Sequence, residues 1–192
     1  MGTRLGVMGG TFDPIHVGHL VTAEEALHQF TLDEVVFVPT GRPWMKEHEV
    51  VASAEDRFRM TEIGIAPEPR FRVSRIEVER GGPTYTVDTL RALREASPDA
   101  ELSFITGADA MLEIMDWKDA DSLFDLAHFI AATRPGYDIA PFSAHPNVSV
   151  MHIPALAISS TDIRRRVGEG RPIRFLVPQD VEAYIVDQGL YR

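Results

Sequence analysis

The sequence predicts an α/β fold: a Rossmann-like, doubly wound parallel sheet in a single domain covering residues 1–192, with a small helical portion towards its C-terminal end. Three observations lead there. Strand-like apolar runs alternate with stretches of helical spacing along the chain, as βαβ units require. The run EVVFVP, Glu34 to Pro39, is β-branched and aromatic without a polar break after its first residue, the mark of a parallel strand covered on both faces. The first apolar run passes directly into GGTFDPIHVGH, Gly9 to His19, where Gly and Pro separate strand from helix.

Taken in order, Arg4 to Met8 is the first strand, carrying Leu5, Val7 and Met8. His19 to Phe30 follows as a helix with Leu20, Ala23, Ala26 and Leu27 on one face. Glu34 to Pro39 is the second strand, and Ala54 to Ile65 restores helical spacing. A short third strand at Phe71 to Ser74, a helix at Thr86 to Ala96, and strands at Leu102 to Thr106, His128 to Thr133 and Val148 to Ile153 continue the pattern. Helices near Thr161 to Val167 and Gln179 to Gln188 close it. The loops are rich in Pro and Gly at Thr40 to Trp44, Gly81 to Pro83 and Arg134 to Pro146, and the irregular stretch Gly136 to Asn147 reads as a mobile flap. Ligands of such a sheet bind beyond the carboxyl ends of its strands, and every motif below falls at one.

The 192 residues suffice for a sizeable core, and 44% hydrophobic with 25% charged residues is ordinary globular composition. A formal net charge of -10 argues against a general nucleic-acid binder, since polyanions favour basic surfaces. The apolar runs are strand-sized and Met1 is followed by no charged and apolar presequence, so a soluble, cytoplasmic protein with no membrane partner is expected. With no cysteine, disulfides and thiolate chemistry are excluded, and any metal must be held by oxygen or nitrogen. The sequence leaves a homo-oligomer open.

In GGTFDPIHVGH the glycines follow the strand directly, so the backbone amides of Gly9, Gly10, Thr11 and Phe12 can face a phosphate with no side chain in the way. His16 and His19 sit near the start of the next helix, where the dipole favours an anion and an imidazole adds a hydrogen bond or a charge. Two alternatives stand beside this: a plain glycine-rich turn with surface histidines, and half of a metal site. Neither GxGxxG nor GxxxxGK[ST] is present. The second constellation is ISSTDIRRRV, Ile158 to Val167. Ser159, Ser160 and Thr161 are capping residues and Asp162 suits a first turn, so a helix with free amides begins here. Arg164, Arg165 and Arg166 follow near that terminus, where the dipole disfavours cations and something else must compensate them. Successive helical residues point about 100° apart, so only one or two can reach a phosphate; a capped helix with a solvated basic face is the plainer alternative.

These two stretches resemble the (H/T)xGH and SxTxxR signatures of the nucleotidyltransferase superfamily. More closely, GGTFDPIHVGHL and ISSTDIR resemble the bacterial nicotinate mononucleotide adenylyltransferases, with the intermediate motifs in family order from Leu5 to the last helix. The resemblance implies that Gly9 to Phe12, His16 and His19 contact ATP phosphates, that Ser159, Thr161 and Arg164 complete the grip, and that Arg165 assists. It matches ITGAD to the segment where Gly107 and Asp109 lie beside the adenosine ribose, and Arg134 to a position near ATP. It also implies that Trp117 stacks on the pyridine ring of nicotinate mononucleotide, that Tyr85 and Thr86 help hold the nicotinate carboxylate, and that Lys46 lies near the mononucleotide phosphate. An indole face suits a flat heterocycle, although a tryptophan is as readily a core residue. Trp44 and Met45 depart from the family, whose members often carry Pro and His there.

The reaction so implied is a step of NAD biosynthesis, joining the phosphate of nicotinate mononucleotide to the α-phosphorus of ATP and releasing pyrophosphate. The nucleophile is already an anion, so alignment and charge neutralisation are the main requirements. His16, His19 and Arg164 fit the electrostatic part, with Mg²⁺ carried on the ATP phosphates rather than in a protein cage. The nearest rival is a phosphopantetheine adenylyltransferase, which usually has Thr at the position of His16. A class I aminoacyl-tRNA synthetase would need tRNA-reading domains for which there is no room. A nucleotide sensor without chemistry is the rival from another class.

Overall fold

The computed structural model describes residues 2–43, 51–133, 145–154 and 157–192. Six parallel strands form the central sheet in the order β4-β2-β1-β6-β7-β8. They are β1 (Arg4–Gly10), β2 (Glu34–Pro39), β4 (Phe71–Val73), β6 (Glu101–Gly107), β7 (His128–Thr133) and β8 (Val148–His152). The chain winds outwards from β1 to β2 and β4, then returns to β6 on the other side of β1, which is the doubly wound arrangement. β1 and β6 are neighbours in register, Val7 beside Phe104 and Met8 beside Ile105. Their connections leave in opposite directions, which opens a crevice past their carboxyl ends.

Strand alternation divides the core into two. Met8, Val35, Phe37, Ile105 and Ile130 turn to one face, where they meet Ala23, Ala26 and Leu27 of α1 (Val17–Gln29), Met60 of α2 (Ala54–Ile65), Ile163 of α7 (Ser160–Gly168) and Val181 of α8 (Gln179–Asp187). Leu5, Val7, Val36, Val38 and Phe104 turn to the other, against Leu90 of α4 (Thr86–Ala96), Met111 of α5 (Ala108–Leu112) and Leu123 of α6 (Ala120–Leu126). Burial on both sides is why β2 reads as an unbroken apolar run.

Strand β2, strand β7, helix α2 and helix α4 have the bounds the sequence predicts. Other elements differ at their ends. Helix α1 begins at Val17, because His16, with extended backbone, serves as its N-cap. Strand β1 runs on to Gly10, and α7 starts at Ser160 with Ser159 as cap. The structure adds α3 (Ile76–Arg80), α5, α6, a 3₁₀ turn at Ile114–Asp116, and a second small parallel sheet pairing β3 (Arg42–Pro43) with β5 (Pro83–Thr84). Strands of two residues contain no alternation to read, and these helices span two turns or fewer. Lys46, Trp44, Met45, Arg134 and most of the stretch from Gly136 to Asn147 lie outside the described residues.

Candidate active site

A cavity of about 650 Å³ opens at the crevice between β1 and β6. Gly9, Gly10, Thr11, Phe12, His16, His19, Tyr85, Thr86, Gly107, Asp109, Trp117, Ser159, Thr161 and Arg164 all line it, so residues predicted from stretches more than a hundred positions apart share one space.

The turn after β1 shapes the floor. Phe12 takes a positive φ of 50° and is buried, so its ring folds back beneath the turn. A Cβ on Gly10 would lie 2.9 Å from that ring, so a larger residue there would have to displace the buried Phe12 side chain. Past the turn, the backbone N–H of His16 donates to His19 Nδ1 at 3.2 Å. That bond makes Nδ1 an acceptor and leaves the proton on Nε2, so neutral His19 presents a donor from its other nitrogen. The edge of Phe12 meets the His19 ring at 5.0 Å. His16 is buried, and among the described residues its Nδ1 has no hydrogen-bond partner. Burial pushes the His16 pKa down to about 4; burial and then the neighbouring His16 push His19 well below the ordinary value. Both imidazoles are therefore neutral at pH 7 in the ligand-free protein.

Helix α7 brings the opposite wall. The Ser159 hydroxyl accepts from the Asp162 amide at 3.2 Å, a standard N-cap, while Ser160 belongs to the helix and donates to the Pro14 carbonyl at 2.9 Å. The three arginines divide by partner. Arg165 and Arg166 both pair with Asp162, Arg166 at 2.6 Å, and Arg165 does not line the cavity; its side chain is 60% exposed. Arg164 turns inward, donates to the Asp13 carbonyl at 2.9 Å and lies 3.8 Å from the Asp13 carboxylate. Asp162 and Asp13 thus supply the compensation that three cations near a helix N-terminus demand.

Asp13 was not singled out by the sequence, although it sits inside the first motif. Buried, it accepts from the amides of Val51 at 2.8 Å and Ala52 at 3.2 Å and from the Tyr191 hydroxyl at 2.6 Å. At the other end, Tyr85 caps α4 and Thr86 begins it. Trp117 follows the 3₁₀ turn and meets Phe104 edge to face at 6.2 Å, half in the core and half on the cavity wall. Lys118 lies 4.6 Å above the Tyr85 ring, pairs with Asp88 at 2.9 Å and lines the cavity too. Glu77 is a further lining residue unforeseen from sequence: its carboxylate accepts from Thr89 at 2.6 Å, and burial raises its pKa. Gly107 and Asp109 stand at the end of β6, where a Cβ on Gly107 would lie 2.6 Å from the Asp109 carboxylate.

Residues 7–166 match the family model described as cytidylyltransferase-like. A protein of Saccharopolyspora erythraea named "Probable nicotinate-nucleotide adenylyltransferase" is 58% identical over 98% of this chain and 90% of its own. One of Streptomyces coelicolor with the same name is 58% identical over 96% of this chain and 99% of its own. Among solved structures, Plasmodium falciparum nicotinic acid mononucleotide adenylyltransferase complexed with NaAD superposes with a TM-score of 0.83 at 22% identity, over 98% of this chain and 97% of that one, which shows a shared fold. With relatives this similar running nearly end to end, the chain belongs to the cytidylyltransferase-like family and, within it, to the nicotinate-nucleotide adenylyltransferases.

Proposed function

We infer that this chain transfers AMP from ATP to nicotinate mononucleotide in NAD biosynthesis, as a single nucleotidyltransferase domain acting in the cytoplasm. The observation that carries the reading is the shared cavity, lined both by His16, His19 and Arg164 and by Tyr85, Thr86 and Trp117. One phosphate oxygen of the mononucleotide attacks the α-phosphorus of ATP. The new P–O bond forms as the bond to the β-phosphate bridging oxygen breaks, and pyrophosphate leaves with that electron pair. No proton need move, because the nucleophile is already ionised.

The amides of Gly9 to Phe12, His19 Nε2 and the Arg164 guanidinium offer donors to the triphosphate, aligned before the substrate arrives. Ser159 and Thr161 add to that grip, and Asp109 beside Gly107 accepts from ribose hydroxyls. Trp117 offers an indole face to the pyridine ring, and Tyr85 and Thr86 lie beside its carboxylate. Lys46 and Arg134 are assigned to the mononucleotide phosphate and to ATP on resemblance alone. ATP is taken as its Mg²⁺ complex; the metal neutralises phosphate charge and enters as part of the substrate. Among the described residues no helix is long and apolar enough to cross a membrane.

The test is pyrophosphate release with Mg²⁺ and ATP, comparing nicotinate mononucleotide, nicotinamide mononucleotide and phosphopantetheine as acceptors. Preference for the first supports the reading. Preference for phosphopantetheine overturns the acceptor, and ATP binding with no turnover on any acceptor overturns the chemistry.

A further inference from the structure

Arg57 sits on the buried face of α2 with 1% of its surface exposed. Its guanidinium donates to four backbone carbonyls: Thr11 at 2.8 Å, Thr40 at 2.6 Å, Gly41 at 2.9 Å and Ala52 at 3.3 Å. Those carbonyls belong to three separate segments, the turn after β1, the turn after β2 and the lead into α2. Thr11 and Thr40 both line the cavity, whereas Arg57 does not.

The turn at Gly41 is held from its other side as well. A Cβ there would fall 2.2 Å from the Glu77 carbonyl, so only glycine can pass this close. The buried Glu77 carboxylate accepts from the Thr89 hydroxyl at 2.6 Å, and the Thr84 hydroxyl donates to the Arg42 carbonyl, just past Gly41, at 3.1 Å. The turn then leads into β3, whose Arg42 and Pro43 register with Pro83 and Thr84 of β5. Tyr85 and Thr86 come next. A continuous path thus runs from Thr11, on the phosphate side, through Arg57 to the acceptor side.

Burying a guanidinium is costly, and an apolar side chain of similar volume would fill this helix face with less desolvation, so stability alone does not call for an arginine here. The fork of donors does what an apolar residue cannot, tying several carbonyls in fixed directions. We propose that Arg57 is a positioning residue that sets the phosphate-side turn at Thr11 against the acceptor-side turn at Thr40–Gly41, so that the two substrates meet in line. This rests on the adenylyl-transfer reading. Misalignment by about 1 Å costs on the order of a hundredfold in rate, while each substrate alone still finds its own wall.

Arg57→Lys keeps the charge and loses the fork. Its kcat for pyrophosphate release should fall about a hundredfold, with the KM values for ATP and for nicotinate mononucleotide each within about threefold. The assay is run below the melting temperature, with circular dichroism on the same sample. A lowered Tm with kcat within twofold of the unsubstituted enzyme means a merely structural role and overturns the proposal, as does a loss confined to the KM of one substrate. Should Arg57→Lys fail to fold, Glu77→Gln carries the test, retaining an acceptor for Thr89 while removing the charge on the far side of Gly41. The same kcat-weighted loss, about tenfold, is expected, and an unchanged kcat sinks the idea. If the unsubstituted enzyme turns over no acceptor, the reaction reading fails and takes this role with it, which is distinguishable from failure in the variants alone.

Discussion

The rings of His16 and His19 stack face to face at the head of α1, centroids 3.7 Å apart and planes 20° apart. Two imidazolium ions in that arrangement would repel at short range with little water between them, so both rings stay neutral until an anion arrives. The pair lines the cavity uncharged, and on the proposed reading the bound triphosphate supplies the charge it meets.

The pH dependence of stability follows. The folded His16 pKa, about 4, lies below its ordinary value of 6.5, so the unfolded chain binds the proton first as pH falls. The stability associated with neutral His16 is fully present above about pH 6.5 and lost as pH falls towards 4, on the order of 3 kcal/mol in all. His19 acts in the same direction, and Glu77, whose pKa is raised, acts in the opposite one. Chemical denaturation between pH 4 and 7 should show the unfolding free energy falling with acid, and His16→Asn should flatten the slope; an equal slope in the variant would refute burial as its cause.

His19→Ala should lower kcat about 100- to 1000-fold while changing ATP affinity much less, because a donor aimed at charge that builds on the leaving pyrophosphate acts mainly in the transition state. Steady-state kinetics paired with calorimetric titration of ATP separates the two. An affinity loss with unchanged turnover would make His19 a binding group only.

Trp117→Ala should weaken nicotinate mononucleotide binding by about tenfold, since stacking on a flat base contributes about 1–3 kcal/mol. ATP binding should be unaffected. Fluorescence quenching of the parent by the mononucleotide gives a direct second readout. Equal losses for both substrates would instead assign Trp117 to packing against Phe104, its edge-to-face neighbour.

Tyr191, next to last in the sequence, donates to the Asp13 carboxylate, and that carboxylate neighbours Arg164. Tyr191→Phe removes one hydrogen bond to a buried charge, about 1.5–3 kcal/mol. In a chain of this size, a loss of that order lowers Tm by roughly 3–12 °C. Differential scanning calorimetry reads this, and a Tm within 1 °C of the parent, on the order of 0.3 kcal/mol, would mean that water replaces the hydroxyl.

Hydrophobic period and turn chemistry are local, and they are what the sequence by itself determined: a parallel sheet, the strand β2, the helices α2 and α4, and the turn that joins β1 to α1. His16, His19 and Ser159 were legible in part as positions beside the crevice, since a glycine turn and a capped helix start are local signals; those signals alone left a plain turn and a solvated basic face open, and Arg164 was singled out by resemblance. Only tertiary structure decided which arginine of three faces the cavity. Spacing fixes the angle between Arg164 and Arg165 about a helix axis, but the placement of α7 against Asp13 fixes which of them turns inward. Arg57 was not singled out from the sequence: the structure shows it sharing the buried stripe of Met60, Thr61 and Gly64, and its partners are carbonyls of turns that carry no side-chain signature. Glu77 and Lys118 join the cavity through the two-residue pairing of β3 with β5 and the short turns around Trp117. Their position is set by packing between distant segments, a relation that no local window of sequence contains.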